Sequence, residues 1–125
     1  MTPLLFLAIS VAGGVGAALR LIVDGTVKAH TRTTFPVGTM LINLSGSFLL
    51  GFVIEIALVG IFPDAWRLVI GTGLLGGYTT FSTASFESIR LIQQRRYGAA
   101  MTNSVGMLIL AVLAALAGVG LAMLI

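Results

Sequence analysis

Four long apolar stretches run through the chain, over residues 4–23, 37–62, 66–92 and 98–125. At about 1.5 Å of rise per residue, each reaches across roughly 30 Å of hydrocarbon as a helix, and the longer three have length to spare for tilting or breaking. Four membrane-spanning helices therefore nearly exhaust the sequence, as one membrane domain over 1–125. The third stretch departs from the apolar pattern. From Gly76 to Glu87 it reads Gly-Gly-Tyr-Thr-Thr-Phe-Ser-Thr-Ala-Ser-Phe-Glu, with five Thr or Ser hydroxyls and a carboxylate. Lipid satisfies none of these groups, so they must face protein, water or an ion. Glycine and hydroxyls at this density favour a helix broken near mid-membrane, whose freed amides and carbonyls can hold an ion. A straight, glycine-packed helix is the competing reading.

Composition strengthens the membrane assignment. Hydrophobic residues make up 58% of the 125 positions and charged residues only 9%, against about 25% charged in a typical soluble domain. Met1-Thr2-Pro3 offers no basic region of a signal peptide, so the first span is expected to be retained. Without cysteine there are no disulfides, thiolate nucleophiles or cysteine metal sites. His30 stands alone in what reads as a polar connection over 24–35, and no carboxylate pair has catalytic spacing. The chain is therefore not expected to be an enzyme. Its net charge of +3 favours anionic lipid head groups, whereas no exposed basic domain or aromatic module is present to bind nucleic acid.

The cations are unevenly placed. Arg20, Lys28, Arg32, Arg90, Arg95 and Arg96 lie toward the side shared by the first and third connections, and Arg67 alone toward the other. The positive-inside rule puts that basic side in the cytoplasm and both termini outside, even with Arg20 discounted.

Within the spans, small residues recur four apart: Gly13 with Ala17, Gly14 with Ala18, Ala111 with Ala115 and Ala114 with Gly118. These spacings predict faces on which helices approach closely. Arg20 fits snorkelling to the head groups, an electropositive mouth or an internal ion pair. On the second span Thr39, Asn43 and Ser47 share one helical face, giving a polar line that suits either a track beside a pore or interhelical hydrogen bonds. The Asn43 amide carries two donors and an acceptor, so it can meet an anion without fixed charge. Phe81 offers its positive ring edge to an anion or simply packs. Glu87 fits a pore-mouth hydrogen bond or a pair with Arg90. Asn103 either extends the polar track or is hydrated near the basic end.

The order and spacing of Gly13-Gly14-Val15-Gly16-Ala17-Ala18-Leu19-Arg20, of Gly38-Thr39 with Asn43 and Gly46, and of Gly76-Gly77-Tyr78-Thr79-Thr80-Phe81-Ser82-Thr83 resemble the Fluc/CrcB family of fluoride channels over essentially the whole chain. The resemblance implies an all-α integral membrane protein of four spans, assembled as an antiparallel dual-topology dimer in a cell inner or plasma membrane. It implies two narrow fluoride pathways and a structural sodium ion at the centre. Asn43 matches the pore asparagine, Phe81 the first fluoride-associated aromatic, Glu87 a pore-side carboxylate, and Arg20 the arginine closing the first-span motif. The backbone oxygens of Gly76 and Thr79 match the sodium ligands. Thr39, Thr80, Ser82 and Thr83 are the hydroxyls expected beside the path. Many relatives carry a second Phe where this chain has Ala84, a Tyr near Asn103 and a Ser near Met107, so the full lining does not carry over.

The expected function is passive, fluoride-selective export down the electrochemical gradient, through several weak donor sites along a narrow path. A coupled multidrug or small-cation transporter is a competitor, but it would want an acidic residue in the middle of the first span. A structural membrane-assembly protein is a third reading, which leaves the polar line without a transport role. The charge bias adds a tension, because a homodimer inserted both ways wants balanced charge. An oppositely oriented related subunit is the specific alternative.

Overall fold

The computed structural model describes residues 2–33 and 35–125, which form helices and connections without any strand. The first helix, α1 (Pro3–His30), starts where Thr2 accepts a hydrogen bond from the Leu5 amide at 3.1 Å and Pro3 supplies a preset backbone angle. It does not stop at residue 23. The expected polar connection over 24–35 is helical as far as His30. The reason is local: Asp24 and Lys28 pair at 2.9 Å one turn apart, and the Thr26 hydroxyl bonds back to the Ile22 carbonyl at 2.8 Å. The second helix, α2 (Val37–Leu58), begins directly after Pro36 and is followed by a turn at Gly60, whose φ of +79° suits glycine. The Gly60 and Ile61 amides bond to Ala57 and Ile56, closing the helix four residues before the expected limit of 62.

The expected third span is built from pieces. A short α3 (Asp64–Trp66) leads into a π-helical stretch, Arg67–Leu75, and then α4 (Gly76–Tyr78). Thr79 and Thr80 are extended, with ψ of 158° and 120°, and helicity resumes in α5 (Phe81–Gln93). The helical pieces over 64–78 and 81–93 are roughly 22 and 20 Å long at 1.5 Å per residue, so neither crosses hydrocarbon alone. Arg95, at φ +59°, closes α5 in the left-handed conformation, with Arg95 and Arg96 amides bonding to Ile92 and Leu91 at 2.9 Å. The last run comprises α6 (Tyr97–Met101), a second π stretch (Thr102–Gly106) and α7 (Met107–Ala122).

Three of these helical runs, 3–30, 37–58 and 97–122, are long and apolar enough to cross a membrane. Large apolar side chains remain exposed on all of them, among them Leu4, Leu58 and Leu108, as expected of surfaces that meet lipid or another subunit. Asp64, in the connection before the π stretch, is held below the usual carboxylate range by its hydrogen bond to Arg67.

Glycines set how close the pieces come. A Cβ on Gly16 would fall on the Leu74 carbonyl, one on Gly77 on the Gly13 carbonyl, and one on Gly73 against the Ile9 backbone. Thus α1 and the 67–78 segment pack backbone to backbone. Gly51 meets Ala115, and Gly118 meets Phe48, bringing α2 and α7 together in the same way. The four-residue spacings of Ala111 with Ala115 and of Ala114 with Gly118 pointed to this second contact. Within this chain Gly14 has nothing within 4 Å of an added Cβ, because the 67–78 backbone lies along the side of α1 that carries Gly13 and Gly16.

Candidate functional site

The interruption at Thr79-Thr80 is pinned by one side chain. Asn43 on α2 accepts the Thr80 amide on its Oδ1 at 2.9 Å and donates from its Nδ2 to the Thr80 carbonyl, also at 2.9 Å. It therefore behaves like a neighbouring peptide group. A flipped amide would oppose both partners, so the orientation is fixed. The remaining Nδ2 hydrogen points to the Met107 sulfur on α7 at 3.3 Å. Both donors read from the sequence as free for an anion are thus engaged.

Thr80 also caps the second half of the break. Its Oγ1 accepts the Thr83 amide at 3.2 Å, as an N-cap residue should. These bonds have a consequence for the carbonyls upstream. In an unbroken helix the Thr80 amide would serve the Gly76 carbonyl and the Thr83 amide the Thr79 carbonyl. Here Asn43 and the Thr80 hydroxyl take those amides. Gly76 and Thr79, the two positions expected to hold sodium, are among the carbonyls of residues 76–79 that lose their helical donors at the break.

Ser45 and Tyr78 hydroxyls meet at 3.0 Å, and Gly46 brings α2 against Thr79. A Cβ on Gly46 would strike the Thr79 Cγ2, while the Thr79 hydroxyl is tied to Leu75 O at 2.9 Å. Gly46→Ala is expected to cost about 2 kcal/mol by overpacking. Thr79→Ser, which removes that methyl and keeps the hydroxyl, is expected to recover at least about 1 kcal/mol of it in a double-mutant cycle read by thermal unfolding in detergent.

A cavity of about 690 Å³ opens beside the break, with Asn43, Thr80, Phe81, Ala84, Asn103 and Met107 in its wall. Phe81 is the first residue of α5 and 87% exposed, so its ring does not serve as core packing within this chain. Ser82 and Thr83 are not among the residues lining this cavity; the Thr83 amide contributes to the cap and Ser82 is exposed. Asn103 is buried rather than hydrated. Its Nδ2 donates to the Ala84 carbonyl at 3.1 Å and to the Ser88 hydroxyl at 2.9 Å, tying the last helical run to α5. Its neighbourhood of basic residues in sequence concealed this, because the helix turns Asn103 inward while Arg95 stays exposed.

A second recess of about 310 Å³ gathers Lys28, Gly38, Glu87 and Arg90 from the ends of α1 and α5 and the start of α2. The structure thereby places basic residues of the first and third connections together. Glu87 accepts a short hydrogen bond from the buried Thr39 hydroxyl, which answers the choice left open for Glu87: Thr39, rather than Arg90, is its bonded partner. Arg20 is half-buried, and its Nε has no hydrogen-bond partner among the described residues. Among those residues no group of three or more His, Asp or Glu side chains is arranged to hold a metal.

The fold and site together define a multi-pass helical membrane protein whose polar groups collect at a clamped helix break. Within that class, the chain belongs to the CrcB family: residues 7–119 match the model of the CrcB-like protein, Camphor Resistance (CrcB). It is 53% identical over 121 residues to fluoride-specific ion channel FluC 1 of Leifsonia xyli, covering 97% of this chain and 87% of that one. It is 42% identical over 118 residues to fluoride-specific ion channel FluC 3 of Bifidobacterium longum, covering 94% and 98%. A third relative, fluoride-specific ion channel FluC 2 of Mycobacterium bovis, is 39% identical over 118 residues, covering 94% and 90%.

Proposed function

We propose that this chain is a passive fluoride-selective channel of a cell inner or plasma membrane, letting intracellular fluoride leave down its electrochemical gradient. The observation that carries the reading is the Asn43–Thr80 clamp, which holds a helix open beside a cavity bordered by an amide, backbone dipoles and an exposed Phe81. Relatives at 53% and 42% identity over nearly the whole chain bear the name fluoride-specific ion channel. Fluoride leaves bulk water only where replacement donors stand close by, and several weak sites release it again. Arg90 lines the second recess beside Lys28, which is paired with Asp24, and Glu87, to which the Thr39 hydroxyl is bonded.

The pieces over 66–78 and 81–93 form the fourth crossing, with the break near mid-membrane. A second subunit inserted the opposite way covers the exposed Phe81 and completes two pathways. A homodimer is the first expectation. The clustering of Lys28 and Arg90 at one end favours one orientation of each chain, which keeps an oppositely oriented related subunit as the second reading. Recovery of crosslinks only to a different chain in native membranes would exclude the homodimer.

Gly76 and Thr79 carbonyls fit a sodium ion, since their helical donors are engaged elsewhere and hard oxygen ligands suit such a cation. There it would add positive potential and hold the break open. Removing sodium is expected to weaken the assembly, measured as a lower unfolding temperature in sodium-free buffer.

Purified protein in liposomes is expected to release fluoride once a potassium ionophore balances the charge. Chloride release should be far slower, and no proton gradient should be needed. Absence of fluoride release from a folded, reconstituted dimer would reject the function. Dependence on a proton gradient would favour the coupled-transporter reading.

A further inference from the structure

The Asn43 amide makes three contacts of unequal strength. Two are reciprocal bonds to the Thr80 peptide at 2.9 Å; the third, from the outer Nδ2 hydrogen to the Met107 sulfur, spans 3.3 Å. A thioether is a weak acceptor, on an unbranched and readily repacked side chain. Met107 is 5% exposed and lines the same cavity as Asn43, Thr80 and Phe81. Its backbone is well held: one turn earlier Asn103 is tied to Ala84 and Ser88, across the π stretch Thr102–Gly106. The side chain can therefore swing while its attachment point stays.

We infer that the Met107 sulfur is a built-in place-holder for the anion, occupying the one Asn43 donor that the helix break does not need. A small anion is a far stronger acceptor than a thioether, so fluoride takes this hydrogen by displacing the sulfur, without disturbing the Thr80 clamp. Between ions the sulfur returns, and the half-buried donor keeps a partner. Met107 thus sets how tightly the site holds fluoride: a neutral competitor keeps the ion from being trapped. The inference rests on the fluoride reading and assigns a role to a side chain that never carries charge.

Side-chain NMR on the full chain in bicelles tests it. In the wild type, the Asn43 Nδ2 proton and the Met107 methyl resonance are expected to shift together along one fluoride titration curve at constant ionic strength. Met107→Leu keeps the volume and removes the acceptor. It is expected to lower the half-saturating fluoride concentration at Asn43 about fivefold, the factor carried by one weak hydrogen bond. A merely structural Met107 would change stability and leave that concentration where it was, which overturns the proposal. If M107L does not fold, the wild-type titration decides: movement of Asn43 without Met107, or of neither, overturns it. Fluoride efflux from the same preparation separates this from the channel reading. Flux without the joint shift removes the place-holder; the joint shift without flux removes the channel and leaves the place-holder standing.

Discussion

Asn43→Leu is expected to lower fluoride efflux from liposomes by tenfold to hundredfold and to destabilise the protein as well. The two effects have one origin. Leucine takes away both bonds to Thr80, leaving a peptide N–H and C=O unpaired at a buried position, at about 1–3 kcal/mol for each group. The segment then lowers its energy by returning the Thr80 amide to the Gly76 carbonyl as a regular helix would. That rewinding rotates Phe81 away from its present place and closes the carbonyls proposed for sodium. The flux estimate follows from losing a donor to an anion, a charged hydrogen bond of about 1.5–3 kcal/mol.

Asn43→Asp separates the two contributions. A carboxylate still accepts the Thr80 amide but has nothing to give the Thr80 carbonyl, and it places negative charge in the anion's way. Stability should fall between that of the wild type and of N43L, while efflux should fall at least as far as in N43L. Wild-type efflux from N43L, measured with a fluoride electrode on folded protein, would show that the clamp is dispensable for conduction.

This dual role was only half legible in the sequence. The one-face spacing of Thr39, Asn43 and Ser47 pointed to a polar line on α2, and the Gly-Gly and Thr-Thr pairs marked where the third stretch gives way. Nothing in a linear pattern says what lies opposite a side chain, so the pairing of Asn43 with the Thr80 peptide, 37 positions away, needed the fold. Met107 was hidden for the same reason: a methionine in an apolar helix looks like packing until a donor is found against it. Helix ends were misjudged where charges were taken as loop markers. Asp24 and Lys28 are polar, yet one turn apart they support α1 instead of ending it. Small-residue spacing identified close packing but not its face, which depends on where the partner backbone runs.

A large loss of stability is expected from Gly77→Ala. An added Cβ there would coincide with the Gly13 carbonyl, with Gly13 C at 2.8 Å and Gly13 Cα at 3.0 Å. These are backbone atoms inside α1, so no rotamer change relieves the overlap; α1 and the 67–78 segment must separate. Overpacking in a tight core usually costs 1–3 kcal/mol, and with two helical backbones opposed the cost should reach at least about 3 kcal/mol. The disturbance would not remain local. Gly77 lies two residues before Thr79, so pushing α4 from α1 drives it toward α2, where Gly46 already leaves Thr79 no free space. The Asn43–Thr80 bonds are next in line, and fluoride efflux should fall with stability. Gly25→Ala is the matched control: nothing lies within 4 Å of its added Cβ, and replacing glycine by alanine within a helix is favourable by up to about 1 kcal/mol. It should leave efflux unchanged and raise the thermal midpoint slightly. Equal midpoints for G77A and the wild type would mean that α1 and the broken helix are not packed backbone against backbone.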